Sequence, residues 1–95
     1  MPAVTQLGSS CSGHGCFAPR SNIAGSGNVF VNGIAAHRQS DGWATHCCGK
    51  SCHNAVLAAG SGTVYCNDLQ LCRIGDPVSC GSVAASGSQN VFAGG

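Results

Sequence analysis

Apolar residues come along this chain in short bursts, and the bursts repeat. Val29-Phe30-Val31, Val64-Tyr65-Cys66 and Val91-Phe92-Ala93 each follow a Gly-Ser or Gly-Ser-Gly start. No window keeps a 3.6-residue period over the ten or more positions that a helix requires. Short β-strands are therefore predicted over 28–31, 63–66 and 90–93. Asn32-Gly33 and Asn67-Asp68 follow the first two, and both pairs accept the positive φ of a tight hairpin turn. Strand side chains alternate, so Phe30, Tyr65 and Phe92 point to one face and Val29, Val64 and Val91 to the other. One set is expected to line a shared interior and the other a lateral surface.

The bursts belong to longer repeats. Gly25 to Asp41 reads GSGNVFVNGIAAHRQSD, Gly60 to Asp76 reads GSGTVYCNDLQLCRIGD, and Gly87 to Gly95 reads GSQNVFAGG. Three copies in a short chain predict three similar walls around one axis. The expected fold is all-β, a small cone of short strands and loops with pseudo-threefold symmetry, as a single domain over 1–95. Between the copies, Ser9 to Ala24 and Gly42 to Ala59 read as long loops without secondary structure. They hold every histidine except His37. Loops of that length in a compact domain are functional or tied down.

Composition narrows what such a body can do. Ninety-five residues give a thin core, with only Phe17, Phe30, Trp43, Tyr65 and Phe92 as aromatic filling. Charged residues are 7% and the net charge is +1, too few cations for a nucleic-acid footprint. A surface so poor in charge is expected to face another protein. The start, MPAVTQLGSS, has neither the charged nor the apolar region of a secretory signal, so synthesis in the cytoplasm is expected. The acids are Asp41, Asp68 and Asp76, with no paired carboxylates, nucleophile elbow or phosphate loop, so no enzyme is expected.

The positions that close each repeat, Ser9, Asp41 and Asp76, serve as a ruler. His14 lies five residues beyond Ser9, His46 five beyond Asp41, and Cys80 four beyond Asp76. Three equivalent positions around an axis converge on one point, and His53 can supply a fourth ligand. His14, His46, His53 and Cys80 offer the nitrogen and thiolate donors of a closed, tetrahedral structural zinc site. One Zn²⁺ is expected, pinning segments that so small a core cannot hold alone. Cys47, Cys48 or Cys52 could displace His46 or His53, and the run from His46 to His53 could form a knuckle of its own. Cys11–Cys16 or Cys47–Cys52 could form disulfides in an oxidising space, which leaves a stapled binding module as the alternative. His37 corresponds to Cys72 in the second repeat, each just before the arginine, and finds no third counterpart, so it reads as packing or surface.

The Gly-Ser-x-x-Val-aromatic-x-Asn-Gly units, the run Arg73-Ile74-Gly75-Asp76-Pro77-Val78-Ser79-Cys80-Gly81 and the early Gly13-His14-Gly15 together resemble the PAAR-repeat proteins. The resemblance spans essentially the whole chain. Members are similar small cones that cap the trimeric β-helical spike of contractile injection machines, namely type VI secretion systems and phage tails. The resemblance implies a zinc near the apex held by His14, His46, His53 and Cys80. It also implies a non-enzymatic tip that sharpens the spike, touches the target membrane transiently and is ejected through the machine. Effectors are possible further partners. Three pseudo-equivalent edges in one chain predict one copy per spike trimer. So little sequence flanks the repeats that no toxin domain is expected to be fused to them.

Overall fold

Ser26, Ser61 and Ser88 open the three repeats with the same turn. Each Oγ accepts the N–H groups two and three residues ahead, at Asn28 and Val29, Thr63 and Val64, and Asn90 and Val91. These N–H groups are spent inside the turn, so the strands begin later than the apolar pattern suggests. In the computed structural model, which describes residues 2–94, β1 is Phe30–Val31 and β2 is Ile34–Ala35. Gly95, the end of the third repeat and of the expected domain, lies outside the described residues, as does Met1. The turn residues Asn32 and Gly33 have φ of 55° and 77°, and Asn67 and Asp68 have 55° and 65°. These are the positive values a two-residue hairpin turn demands.

The third wall is assembled from both ends of the chain. Phe92 bridges Ala3, as Phe30 pairs with Ala35 in the first repeat. Val4 N–H donates to Val91 carbonyl (2.9 Å) and Ala93 N–H to Pro2 carbonyl (3.0 Å). The N-terminal segment thus supplies the return strand that the third repeat lacks. This corrects the expectation for His37, whose third counterpart is Thr5. His37 N–H donates to Thr5 carbonyl (3.1 Å), Thr5 N–H to Cys72 carbonyl (2.9 Å), and Cys72 N–H to His37 carbonyl (3.0 Å). All three residues are fully buried. Burial lowers the pKa of His37, whose Nδ1 donates to the Ala24 carbonyl at 2.8 Å. His37 is a packing residue.

Two small core layers stack along this axis. Val31, Cys66 and Ala93 pack with Ala36, Leu71 and Val4 in the first. The aromatic set is excluded from it: Phe30, Tyr65 and Phe92 are 58%, 56% and 50% exposed. Val29 and Val64 are also exposed, while Val91 packs against the layer. Neither expected set therefore lines the interior. Alternation does hold, because the buried residues are the next ones along each strand. A threefold axis this narrow admits residues no larger than leucine there. The second layer contains Cys11, Trp43, Leu57, Cys72, Val78 and Ala84.

Turns that close the repeats lead from one layer to the next. Arg38 and Arg73 each grip an aspartate three residues on with two side-chain hydrogen bonds of 2.9–3.0 Å, and their own N–H groups bond the same carboxylates at 2.8 Å. In the third repeat Ser9 Oγ accepts from Gln6 N–H at 3.2 Å. Beyond the turns, one expected loop proves to be structured: Gly42 to Ala59 contains the longest hairpin, β3 (Gly42–Cys48) against β4 (Ser51–Val56). The second-repeat hairpin is β5 (Tyr65–Cys66) with β6 (Leu69–Gln70). The body measures 37 × 24 × 22 Å, an elongated outline that fits the expected cone.

Three glycines mark how closely the walls meet. A Cβ on Gly25 would come within 2.8 Å of the Ala36 carbonyl oxygen; on Gly60 and Gly87 it would strike the Leu71 and Val4 carbonyls. Gly27 faces open space. Gly60→Ala is expected to lower unfolding free energy in urea by roughly 1–3 kcal/mol through overpacking. Gly27→Ala is expected to change it by less than about 0.5 kcal/mol.

Candidate metal centre

β3 carries one residue more than β4 in the same stretch. Trp43 pairs with Ala55 and His46 with His53, so two residues of β3 oppose one of β4. Without that bulge, the three-residue spacing from Trp43 to His46 would put the two side chains on opposite faces. With it, both turn inward. The bulge is held at Ala44, whose N–H donates to the Ser21 carbonyl (3.0 Å) and whose carbonyl accepts from Arg20 Nε (2.8 Å). His14 comes from the first loop, where it bridges Phe17 through paired backbone hydrogen bonds of 3.1 and 2.8 Å.

These elements bring four side chains together. His14 Nε2 lies 3.2 Å from His46 Nε2 and 3.1 Å from His53 Nε2; His46 and His53 Nε2 are 2.7 Å apart. Cys80 Sγ is 4.0 Å from His46 Nε2, and all four donor atoms lie within 4.8 Å of one another. His46 Nδ1 donates to the Ala18 carbonyl at 2.8 Å, which fixes the ring with its Nε2 aimed at the others. Nitrogens bound tetrahedrally at about 2.0 Å sit roughly 3.3 Å apart, near the spacing found here. This group could hold a metal ion.

The other cysteines sort themselves by position. Cys16 is paired with Cys48 and Cys47 with Cys52, so none of Cys47, Cys48 and Cys52 takes a histidine's place in the cluster. Of the two pairs that the sequence left open, Cys47–Cys52 is present. The alternative Cys11–Cys16 does not, because Cys11 is buried under Arg20, whose Nη1 donates to its Sγ at 2.9 Å. Cys72 is shut in the core, and burial pushes its thiol up to about 12.

Arg20 is the residue that the sequence did not single out. Besides Cys11 and Ala44 it bonds Ser82 Oγ (3.1 Å) and, through Nη2, Cys80 Sγ (3.4 Å), and its guanidinium lies 5.6 Å from the Trp43 ring centre. It has no counterpart in the other repeats, so a repeat-based reading passes over it. Burial opposes ionisation of Cys80. Hydrogen bonds from the Ser82 hydroxyl and backbone, Arg20 and His53 outweigh it and bring the thiol down to about 5. Cys80 is therefore a thiolate at neutral pH.

The sequence of this threefold body, whose described residues form no helix, matches a known family. A model of the PAAR motif matches residues 21–86. The chain belongs to the PAAR-motif family. Over 79 residues it is 37% identical to the NAD(P)(+) glycohydrolase toxin Tse6 and, equally, to the (p)ppApp synthetase toxin Tas1, from two strains of Pseudomonas aeruginosa. Each match covers 77% of this chain but 18% of the toxin. The PAAR-motif part is thus a small share of those proteins.

The lowered pKa of Cys80 gives a pH dependence with a definite sign. A depressed acid pKa stabilises the folded state above the group's ordinary value of 9.0, and that contribution disappears as pH falls to about 5. In chelator-treated protein, one thiolate should persist by ultraviolet absorbance down to about pH 5, and Cys80→Ser should remove it. Stability should fall with acidification between those limits more steeply in the parent than in the variant.

Proposed function

We propose that this chain, as one domain over 1–95, is a non-enzymatic, zinc-stabilised tip that caps the trimeric β-helical spike of a contractile injection machine. The observation that carries the reading is the exposed ring of Phe30, Tyr65 and Phe92, one aromatic residue from each wall at half or more exposure. A soluble body with 7% charged residues gains from covering such a ring. A single chain with three equivalent edges fits a true threefold partner, so one copy serves each trimer. The open strand edges of that partner would be buried in the contact.

His14, His46, His53 and Cys80 are the proposed ligands. Zinc suits three imidazoles and a thiolate, and four protein donors leave no place for a reactive water. The ion supplies cross-linking among three chain segments, not chemistry. The toxin activities named for the relatives are theirs; this chain matches 18% of each, and its part would be to carry such effectors on the spike. On this reading the protein is made in the cytoplasm, rides the spike out through the machine and meets the target membrane only in passing. It makes no use of nucleic acid. A stapled binding module is the second reading, favoured by the two disulfides.

Two measurements decide between them. Elemental analysis should find one zinc per chain, lost in His14→Ala and kept in Asn54→Ala, an exposed neighbour of His53 on β4. A full complement in His14→Ala would refute the ligand set. Native mass measurement should give one copy of this chain per spike trimer, and Tyr65→Asp should weaken that complex about tenfold or more without loss of zinc. A complex of three copies on three spike chains would refute the cap.

A further inference from the structure

Four cysteines that the His and Cys cluster does not use stand at its rim. His46 is directly opposite His53, and Cys47 directly opposite Cys52. Successive strand residues point to opposite faces, so Cys48 shares the histidine face while Cys47 and Cys52 share the outer one. The two disulfides follow that division. Cys47–Cys52 joins strands already paired by their own ladder, across a sequence separation of 5. Cys16–Cys48 spans 32 residues and ties the first loop to the end of β3. Cys16 lies two positions after His14, and Cys48 two after His46.

We propose that Cys16–Cys48 is a redox latch, closed after the metal has entered, that keeps the ion from leaving. The proposal rests on the metal reading above. For an ion to escape, one ligand-bearing segment must swing away. His46 and His53 are held together by the β3–β4 ladder, and Cys80 is braced by Arg20 and Ser82. His14 sits on a short turn whose backbone pair, His14 with Phe17, is local. The non-covalent link from that loop to the hairpin near the ligands is the hydrogen bond of His46 Nδ1 to Ala18 and the packing of the Phe17 ring, whose centre lies 4.9 Å from that of His46 and 4.3 Å from that of His53. The Cys16–Cys48 bond makes the link covalent at the segment otherwise freest to move. Closing the longer loop restricts the open state more than closing the short one.

The chemistry balances by thiol–disulfide exchange. The thiolate of Cys16, an exposed residue, attacks a small-molecule disulfide and releases one thiol. The Cys48 thiolate then displaces the second thiol and forms the Cys16–Cys48 bond. The two cysteines lose two protons and two electrons, and the oxidant becomes two thiols. Under reducing conditions the latch is open and zinc can load; under oxidising ones it is shut.

Zinc release into excess chelator, followed after equilibration with reduced or oxidised glutathione, tests this. Release from the oxidised parent should be slower by about tenfold or more, and Cys48→Ser should return it to the reduced rate. Cys47→Ser/Cys52→Ser should remain slow. Peptide mapping of the oxidised parent should recover Cys16 linked to Cys48. Equal release in both redox states, or Cys16 bonded to another cysteine, overturns the latch while leaving the metal reading intact. Protein that takes up no zinc in either state overturns both.

Discussion

Three backbone hydrogen bonds in a closed ring hold this fold about its axis. His37, Thr5 and Cys72 each donate to the next, at 2.9–3.1 Å, and so satisfy one another where no water reaches. A buried peptide group without a partner is costly, and a ring of three leaves none of these donors over. The ring also fixes what may surround it. Three walls meeting at an axis leave room for small aliphatic side chains on either side, and for glycine where a wall crosses a neighbour's carbonyl. Large aromatic side chains are displaced outward by the same crowding, with Trp43 an exception in the second layer. An exposed aromatic ring is therefore a consequence of the fold's narrowness as well as a surface available to a partner.

The second layer converts that symmetry into a site. Equivalent turns after each repeat project three loops to one end, and each carries an equivalent donor position. Equivalence alone does not aim the side chains. Between Trp43 and His46 the bulge supplies the odd residue that lets a core tryptophan and a histidine share one face. Arg20 then spans the junction, tied to the bulge at Ala44 and to the sulfurs of Cys11 and Cys80. One buried cation thus couples the packing of the layer to the placement of the thiolate.

How much of this could be read from the residues depended on whether the repeat exposed it. The hairpin turns at Asn32-Gly33 and Asn67-Asp68, and the convergence of His14, His46 and Cys80, followed from the repeat and its matched spacing, with His53 offered beside them as a further histidine of the second loop. What had no repeat was missed. The bulge was written only as a mismatch, with Trp43 and His46 three apart where His53 and Ala55 are two apart. Arg20 is a lone arginine in a loop. Thr5 escaped notice because it shares a place with His37 and Cys72 but not their chemistry. The pairing of Cys16 with Cys48 depends on a loop meeting the end of β3 in space, which spacing along the chain cannot express. The burial of Val31 in place of Val29 or Phe30 reflects where each serine turn ends and its strand begins.

The split third wall has a consequence for how the protein comes into being. Val4 and Thr5 bond to Val91 and Cys72, so the first core layer closes only once residues 4 and 91, far apart in the sequence, have met. No early part of the nascent chain has a complete set of neighbours, and contacts between distant residues make folding slow. Until residues 4 and 91 meet, the thiol of Cys66 in the first layer lacks its full cover, so closure of the third wall is also what shields that sulfur from solvent.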